Sequence, residues 1–210
     1  KKAMFEDPVE DTRCVLHCEM KNEGFKTASK VQYVARVGNF IDNGADYTGA
    51  LQILKVILSY DYLWQNIRVK GGAYGCMSGF SRTGEGYFVS YRDPNLERTM
   101  EVYEGIADYL RNFTVSDRDM NKYIIGTMSN IDRPMTPSAK GDRSFNLYMN
   151  KVSAETIKKE RLQILEAGQE DIRKLADVVE AVMKAEQVCV IGSEEKIEEA
   201  KDMFKNVTTF

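Results

Sequence analysis

The stretch that most constrains this chain is Leu63 to Gly75, Leu-Trp-Gln-Asn-Ile-Arg-Val-Lys-Gly-Gly-Ala-Tyr-Gly, where an apolar helical run passes Arg68, meets two glycines and becomes a strand at Tyr74. Gly71 and Gly72 lack a Cβ, so the backbone there can take the positive φ that reverses direction within a few residues. Arg68 and Tyr74 can then lie close in space, with Gly75 leading into the strand. Arg68 offers five N–H donors and Tyr74 a phenolic O–H, and neither is a natural nucleophile, general base or metal ligand at neutral pH. Such a pair suits a site that grips a carbonyl or an oxyanion. An arginine on a last helical turn also complements the negative end of the helix dipole, which is the competing, purely structural reading of Arg68.

Around that passage the chain alternates strands and helices without a regular parallel repeat. Lys1 to Glu10, charged and containing Pro8, reads as a lead-in. Arg13 to Met20 could form a short first strand, so residues 1–21 are taken as lead-in and 22–210 as the folded domain. A polar turn is expected at Asn22-Glu23-Gly24, and a firmer strand at Val31 to Val37, where β-branched residues alternate. From Asp46 to Ile67, Leu51, Leu54, Ile57, Leu58 and Leu63 recur near the three-and-four spacing of a long core helix. Trp64, the only tryptophan, is expected as a core anchor beside the Arg68 turn. A hairpin follows, Ala73 to Ser81 and Tyr87 to Arg92 around Thr83-Gly84-Glu85-Gly86.

Helices are then expected from Asp93-Pro94-Asn95, with Leu96, Met100, Tyr103, Ala107, Leu110 and Phe113 on one face, and from Ser116, where Ser-x-x-Asp119 forms a capping box. These two should pack antiparallel on one side of the sheet. Prolines break the pattern at Asp132-Arg133-Pro134-Met135-Thr136-Pro137, and helices resume from Ser138 to Asn150, from Ser153 to Gly168 and through Ile172, Leu175, Val179 and Val182. Gln187 to Gly192 reads as a central strand, and Ser193 caps a closing helix carrying Ile197, Ala200 and Phe204. The order implies a two-layer α+β domain, helices gathered on one face of a largely antiparallel sheet.

Composition narrows the partners. With 29 basic against 32 acidic residues interleaved along the chain, there is no basic footprint for nucleic acid. No apolar run reaches the ~18 residues that span a membrane, and the basic-then-apolar layout of a signal peptide is lacking. Cys14, Cys18, Cys76 and Cys189 form neither a dense disulfide framework nor a paired zinc layout, and read as small buried hydrophobes in a reducing, cytoplasmic setting. The opening Lys-Lys-Ala leaves room for a targeting signal in a missing N-terminal part. Strand alternation sets His17 opposite Cys14 and Cys18, against a shared metal.

Several chemistries are excluded. Phosphate loops join a strand to a helix start, whereas Gly71-Gly72-Ala73-Tyr74-Gly75 runs from helix to strand. There is no G-x-S-x-G elbow, and a single histidine cannot complete an H-x-x-E-H or H-E-x-x-H zinc motif. Paired carboxylates such as Asp117 with Asp119 and Glu194 with Glu195 sit at helix starts, where they complement the dipole.

Leu63-Trp64-x-x-Ile67-Arg68-Val69-Lys70-Gly71-Gly72-Ala73-Tyr74-Gly75 resembles the motif near the C-terminal end of presequence-protease-type metallopeptidases, in the insulinase or pitrilysin (M16) family. Asn22-Glu23-Gly24-Phe25 leading into Val31-Gln32-Tyr33-Val34, Ser90-Tyr91-Arg92-Asp93-Pro94-Asn95, and Ile131-Asp132-Arg133-Pro134 with Lys140-Gly141 are similar to the same region. The resemblance implies a LuxS/MPP-like fold and the fourth, zinc-less domain of a clamshell enzyme that encloses oligopeptides. Arg68 and Tyr74 would bind the substrate carbonyl or oxyanion, on a loop supported by Gly71, Gly72 and Gly75. Zinc and its glutamate base would belong to the first domain, on the same polypeptide or on a partner subunit, so no cofactor and no catalytic residue is expected on this chain and it should be inert alone. The alternative is a non-catalytic peptide-binding or scaffold subunit of the same superfamily.

Overall fold

The computed structural model describes residue 19 and residues 21–210. The expected lead-in, the strand at Arg13 to Met20 and the Cys14, His17 and Cys18 cluster lie outside the described residues, residue 19 apart. Among the described residues, Val34, Phe88, Val188 and Val190 are buried while Tyr33 and Ile191 are exposed, the period-two alternation of strands with one face in a core. Six strands form one sheet: β1 (Asn22–Thr27), β2 (Gln32–Asn39), β3 (Gly75–Phe80), β4 (Glu85–Asp93), β5 (Gln187–Ser193) and β6 (Asn206–Thr209). Their order is β3-β4-β2-β5-β1-β6. The pairings β3–β4, β4–β2 and β2–β5 are antiparallel, and β5–β1 and β1–β6 are parallel. The expected α+β architecture is present, with a parallel margin that pattern alone did not show.

The helices are α1 (Ala50–Ile57), α2 (Glu97–Glu104), α3 (Ile106–Arg111), α4 (Asp117–Ile131), α5 (Pro137–Met149), α6 (Ala154–Leu165), α7 (Gln169–Met183) and α8 (Glu194–Glu199). Leu54, Ile57, Ile106, Leu110, Val179 and Val182 are buried and join Phe88 and Val190 in one core. Leu96, Met100, Tyr103, Ala107, Leu110 and Phe113 are all buried, as their spacing predicts, although Gly105 divides the helix in two. Ser116 Oγ accepts the Asp119 N–H at 3.2 Å, the expected cap of α4. α3 packs chiefly on α7, and α4 on α1 and α6, so the two successive helices have their main contacts elsewhere than on each other.

Two expectations are corrected. Asn22-Glu23-Gly24 is not a turn but the start of β1, pairing Asn22 with Val188 and Gly24 with Val190. Its polar, turn-like composition yields to the ladder, and a Cβ on Gly24 would come within 3.0 Å of Ile197 and 3.1 Å of the Phe204 ring. The closing helix, too, stops before Phe204: after Glu199 comes a 3-10 turn, Lys201–Met203, and then β6 beside β1. Val207, Thr208 and Thr209 carry the β-branched signal for that strand.

The close approach of the end of α7 to β2 depends on Gly38. A Cβ there would lie 2.2 Å from the Val182 carbonyl oxygen and 2.9 Å from Ala185 Cβ. Gly38→Ala is expected to lower stability by about 1–3 kcal/mol, read as a lower urea midpoint at an unchanged slope.

Candidate functional site

The site begins with a change of helical pitch. After Ile57 the α-helical ladder gives way to π-helical stretches, Leu58–Tyr62 and Trp64–Val69, with Leu63 N–H bonded to the Leu58 carbonyl and Lys70 N–H to that of Gln65. Leu58, Leu63 and Ile67 are buried at steps of five and four, so the widened turn keeps them all on the core side. The sequence expectation of a uniform helix is corrected here, and the five-residue step from Leu58 to Leu63 was its visible signal. On the opposite side Trp64 and Arg68 come together, the guanidinium 4.1 Å from the indole centroid.

Trp64 is therefore not the core anchor expected: it is 38% exposed and forms the platform under Arg68. A stack of this kind at an exposed site contributes about 0.5–1 kcal/mol. It also limits the directions in which the guanidinium can point.

The helix then ends on the two glycines, each needed for a different reason. Gly72 takes φ +80°, a conformation unfavourable to any residue with a Cβ. Gly71 lies so close to the preceding turn that a Cβ would sit 2.4 Å from the Ile67 carbonyl oxygen. Gly72 N–H bonds to the Arg68 carbonyl at 2.9 Å and Ala73 N–H to that of Ile67 at 3.1 Å, closing the helix end. Gly75 then lets Tyr91 lie flat over the first residue of β3, where a Cβ would fall 2.4 Å from that ring.

Tyr74 is 60% exposed, its ring centroid 5.6 Å from that of Tyr91 and 5.6 Å from the Arg92 guanidinium. Arg68 is exposed as well. Neither the guanidinium of Arg68 nor the hydroxyl of Tyr74 is hydrogen-bonded or ion-paired among the described residues, so both donors face outward unoccupied. The Arg68 charge reaches Cys76, two residues beyond Tyr74. Burial pushes the Cys76 thiol up to about 11, Asp93 adds to the rise, and Arg68 opposes it.

The cysteine expectation needs correcting. Cys76 is only half-buried and Cys189 is exposed on the open face of the sheet, because strand alternation turns Cys189 away from Val188 and Val190. Both thiols are free. A cleft of about 1040 Å³ lies elsewhere, between α5 and the Arg82–Glu160 ion pair, and neither Arg68 nor Tyr74 lines it. Among the described residues no group of three or more His, Cys, Asp or Glu side chains could hold a metal ion. Nor is any helix among them long and apolar enough to cross a membrane.

A family model described as "PreP C-terminal domain" matches residues 22–195. The chain belongs to that family. Protein HypA of Clostridium perfringens is 47% identical over 187 residues, covering 89% of this chain and 19% of its own length. Presequence protease 1, chloroplastic/mitochondrial, of Arabidopsis thaliana is 32% identical over 188 residues, 89% of this chain and 17% of its own length. This chain thus spans under a fifth of those relatives. A solved structure described as a peptidase M16 inactive domain, from Pseudomonas fluorescens, superposes with a TM-score of 0.57 at 16% identity, covering 84% of this chain and 45% of that one. That likeness establishes a shared fold.

Sequence reasoning about this presequence-protease-type domain placed Arg68 and Tyr74 on either side of one turn, but assigned no task to Arg92 and Asn95, which touch that turn, or to Asp93, which bonds the Asn95 N–H. The Asp-Pro-Asn run was visible as a helix start and as part of the family resemblance, without a link to the turn. A reactivity prediction follows from Cys76. Only the thiolate is alkylated, so its rate should be low at pH 8, rise about tenfold per pH unit and level off near pH 11. Peptide mapping after iodoacetamide treatment over a pH series measures this.

Proposed function

We propose that this chain is the zinc-less, substrate-binding C-terminal domain of a clamshell zinc metallopeptidase that degrades oligopeptides, and that Arg68 and Tyr74 hold the peptide at the zinc site of another domain. The observation that carries this reading is the outward, unpaired pair of donors flanking one rigid turn, on a chain of the presequence-protease C-terminal family. As a tetrahedral intermediate forms, the carbonyl oxygen gains negative charge. A guanidinium and a phenol already in place can donate to it without reorganising, and each such donor contributes about 3–4 kcal/mol to the transition state. The described residues supply no zinc ligand set, so the metal, which would activate water, is assigned to upstream domains of the same polypeptide or to a partner subunit. This domain contributes grip and orientation only.

The sparse cysteine spacing is the support for a reducing compartment, and the cytoplasm is the reading we retain. The Arabidopsis relative is named for chloroplast and mitochondrion, which weighs against the cytoplasm. An H-x-x-E-H encoded upstream supports the peptidase, and its absence would favour a non-catalytic scaffold subunit.

In the complete peptidase, Arg68→Ala and Tyr74→Phe are each expected to lower kcat by about 10²–10³-fold with zinc content unchanged. Steady-state kinetics on an enclosed-size peptide, with metal analysis, tests this. Near-normal turnover in both variants would remove the assigned roles.

A further inference from the structure

The diglycine turn is joined at several points to the end of β4 and the start of α2. Tyr74 N–H donates to the Arg92 carbonyl at 3.3 Å. Asn95 Nδ2 donates to the Gly71 carbonyl at 2.6 Å, and Arg98 Nη1 to the Lys70 carbonyl at 3.1 Å. Those two carbonyls belong to the helix end, where no intrahelical partner remains, and side chains from the neighbouring segment satisfy them. The segment is itself shaped for the task. Gln32 pairs with Asp93 but Val34 with Ser90, so Tyr91 and Arg92 together oppose Tyr33 in a β-bulge. Arg92 takes φ +48° there.

A bulge re-aims the chain, and a non-glycine residue at positive φ persists only where its surroundings hold it. Asp93 provides that hold. It is fully buried, and its carboxylate accepts the Asn95 N–H at 2.9 Å and the Thr99 hydroxyl at 2.7 Å.

We propose that Asp93 and Asn95 are positioning residues for Arg68 and Tyr74. Asn95 clamps the Gly71 carbonyl and Asp93 anchors the loop that carries Asn95. The clamp keeps Arg68 stacked on Trp64 while the bulge keeps Tyr74 beside Arg92. The catalytic consequence rests on the peptide-holding role of the pair, but the mechanical coupling does not, and the two can be tested apart.

Trp64 is the only tryptophan in the chain, so its emission reports on the Arg68 stack. In this chain, Asn95→Ala and the similarly sized Asn95→Leu are expected to shift Trp64 emission and acrylamide quenching in the direction set by Arg68→Ala. Neither should add a further shift once Arg68 is already alanine. Far-UV circular dichroism and Tm identify any variant that has lost the fold, and two variants of different size guard against that loss. Wild-type emission in both folded Asn95 variants would overturn the proposal. So would a further shift on the Arg68→Ala background, or wild-type emission in Arg68→Ala itself. In the complete peptidase, Asn95→Ala should lower kcat about tenfold or more, in line with the cost of an ångström-scale misplacement, and the Asn95→Ala/Arg68→Ala double variant should fall no further than Arg68→Ala. If Arg68→Ala turns over normally, the peptide-holding reading fails while the fluorescence result still decides the clamp.

Discussion

The helix end at Gly71 and Gly72 is the constraint on which the rest of the site depends. A helix that points its apolar side into the core must stop and reverse to join the sheet edge at β3, and the stop leaves backbone carbonyls without partners. Gly72 supplies the left-handed φ and Gly71 the space beside the Ile67 carbonyl. With the two carbonyls of Lys70 and Gly71 capped by Arg98 and Asn95, the turn becomes a fixed corner between helix and strand.

The π-helical widening upstream serves the same corner. A regular α-helix cannot keep Leu58, Leu63 and Ile67 buried together, because the five-residue step from Leu58 to Leu63 runs ahead of its 3.6-residue turn. Widening restores the core face and, as a consequence, brings Trp64 and Arg68 into register on the outside. Core packing and the aim of a surface arginine are thus settled by one local change of pitch.

The pair of donors illustrates a division of labour. Arg68 and Tyr74 are exposed and unpaired among the described residues, whereas Asp93 and Thr99, which hydrogen-bond to each other, are buried. The backbone of the turn between Arg68 and Tyr74 is fixed by the Asn95 contact to Gly71, on a loop that Asp93 and Thr99 hold, while the two side chains themselves keep no hydrogen-bonding partner among the described residues.

Much of this protein was legible as sequence because local rules acted alone: the diglycine reversal, the hairpin around Gly84, the Ser116 cap and the apolar stripes of α2, α3 and α7 each depend on neighbours within a few residues. That Arg68 and Tyr74 flank one short turn was legible for the same reason. What only the tertiary structure decided involved partners far along the chain. β1 forms from turn-like residues because β5, more than 160 residues later, offers a ladder, β6 exists because β1 does, and Trp64 is a platform rather than core because the helix widens around it. Asp93 and Asn95 acquire a role only when α2 meets the helix end, since a hydrogen bond between residues 95 and 71 leaves no periodic trace in either segment.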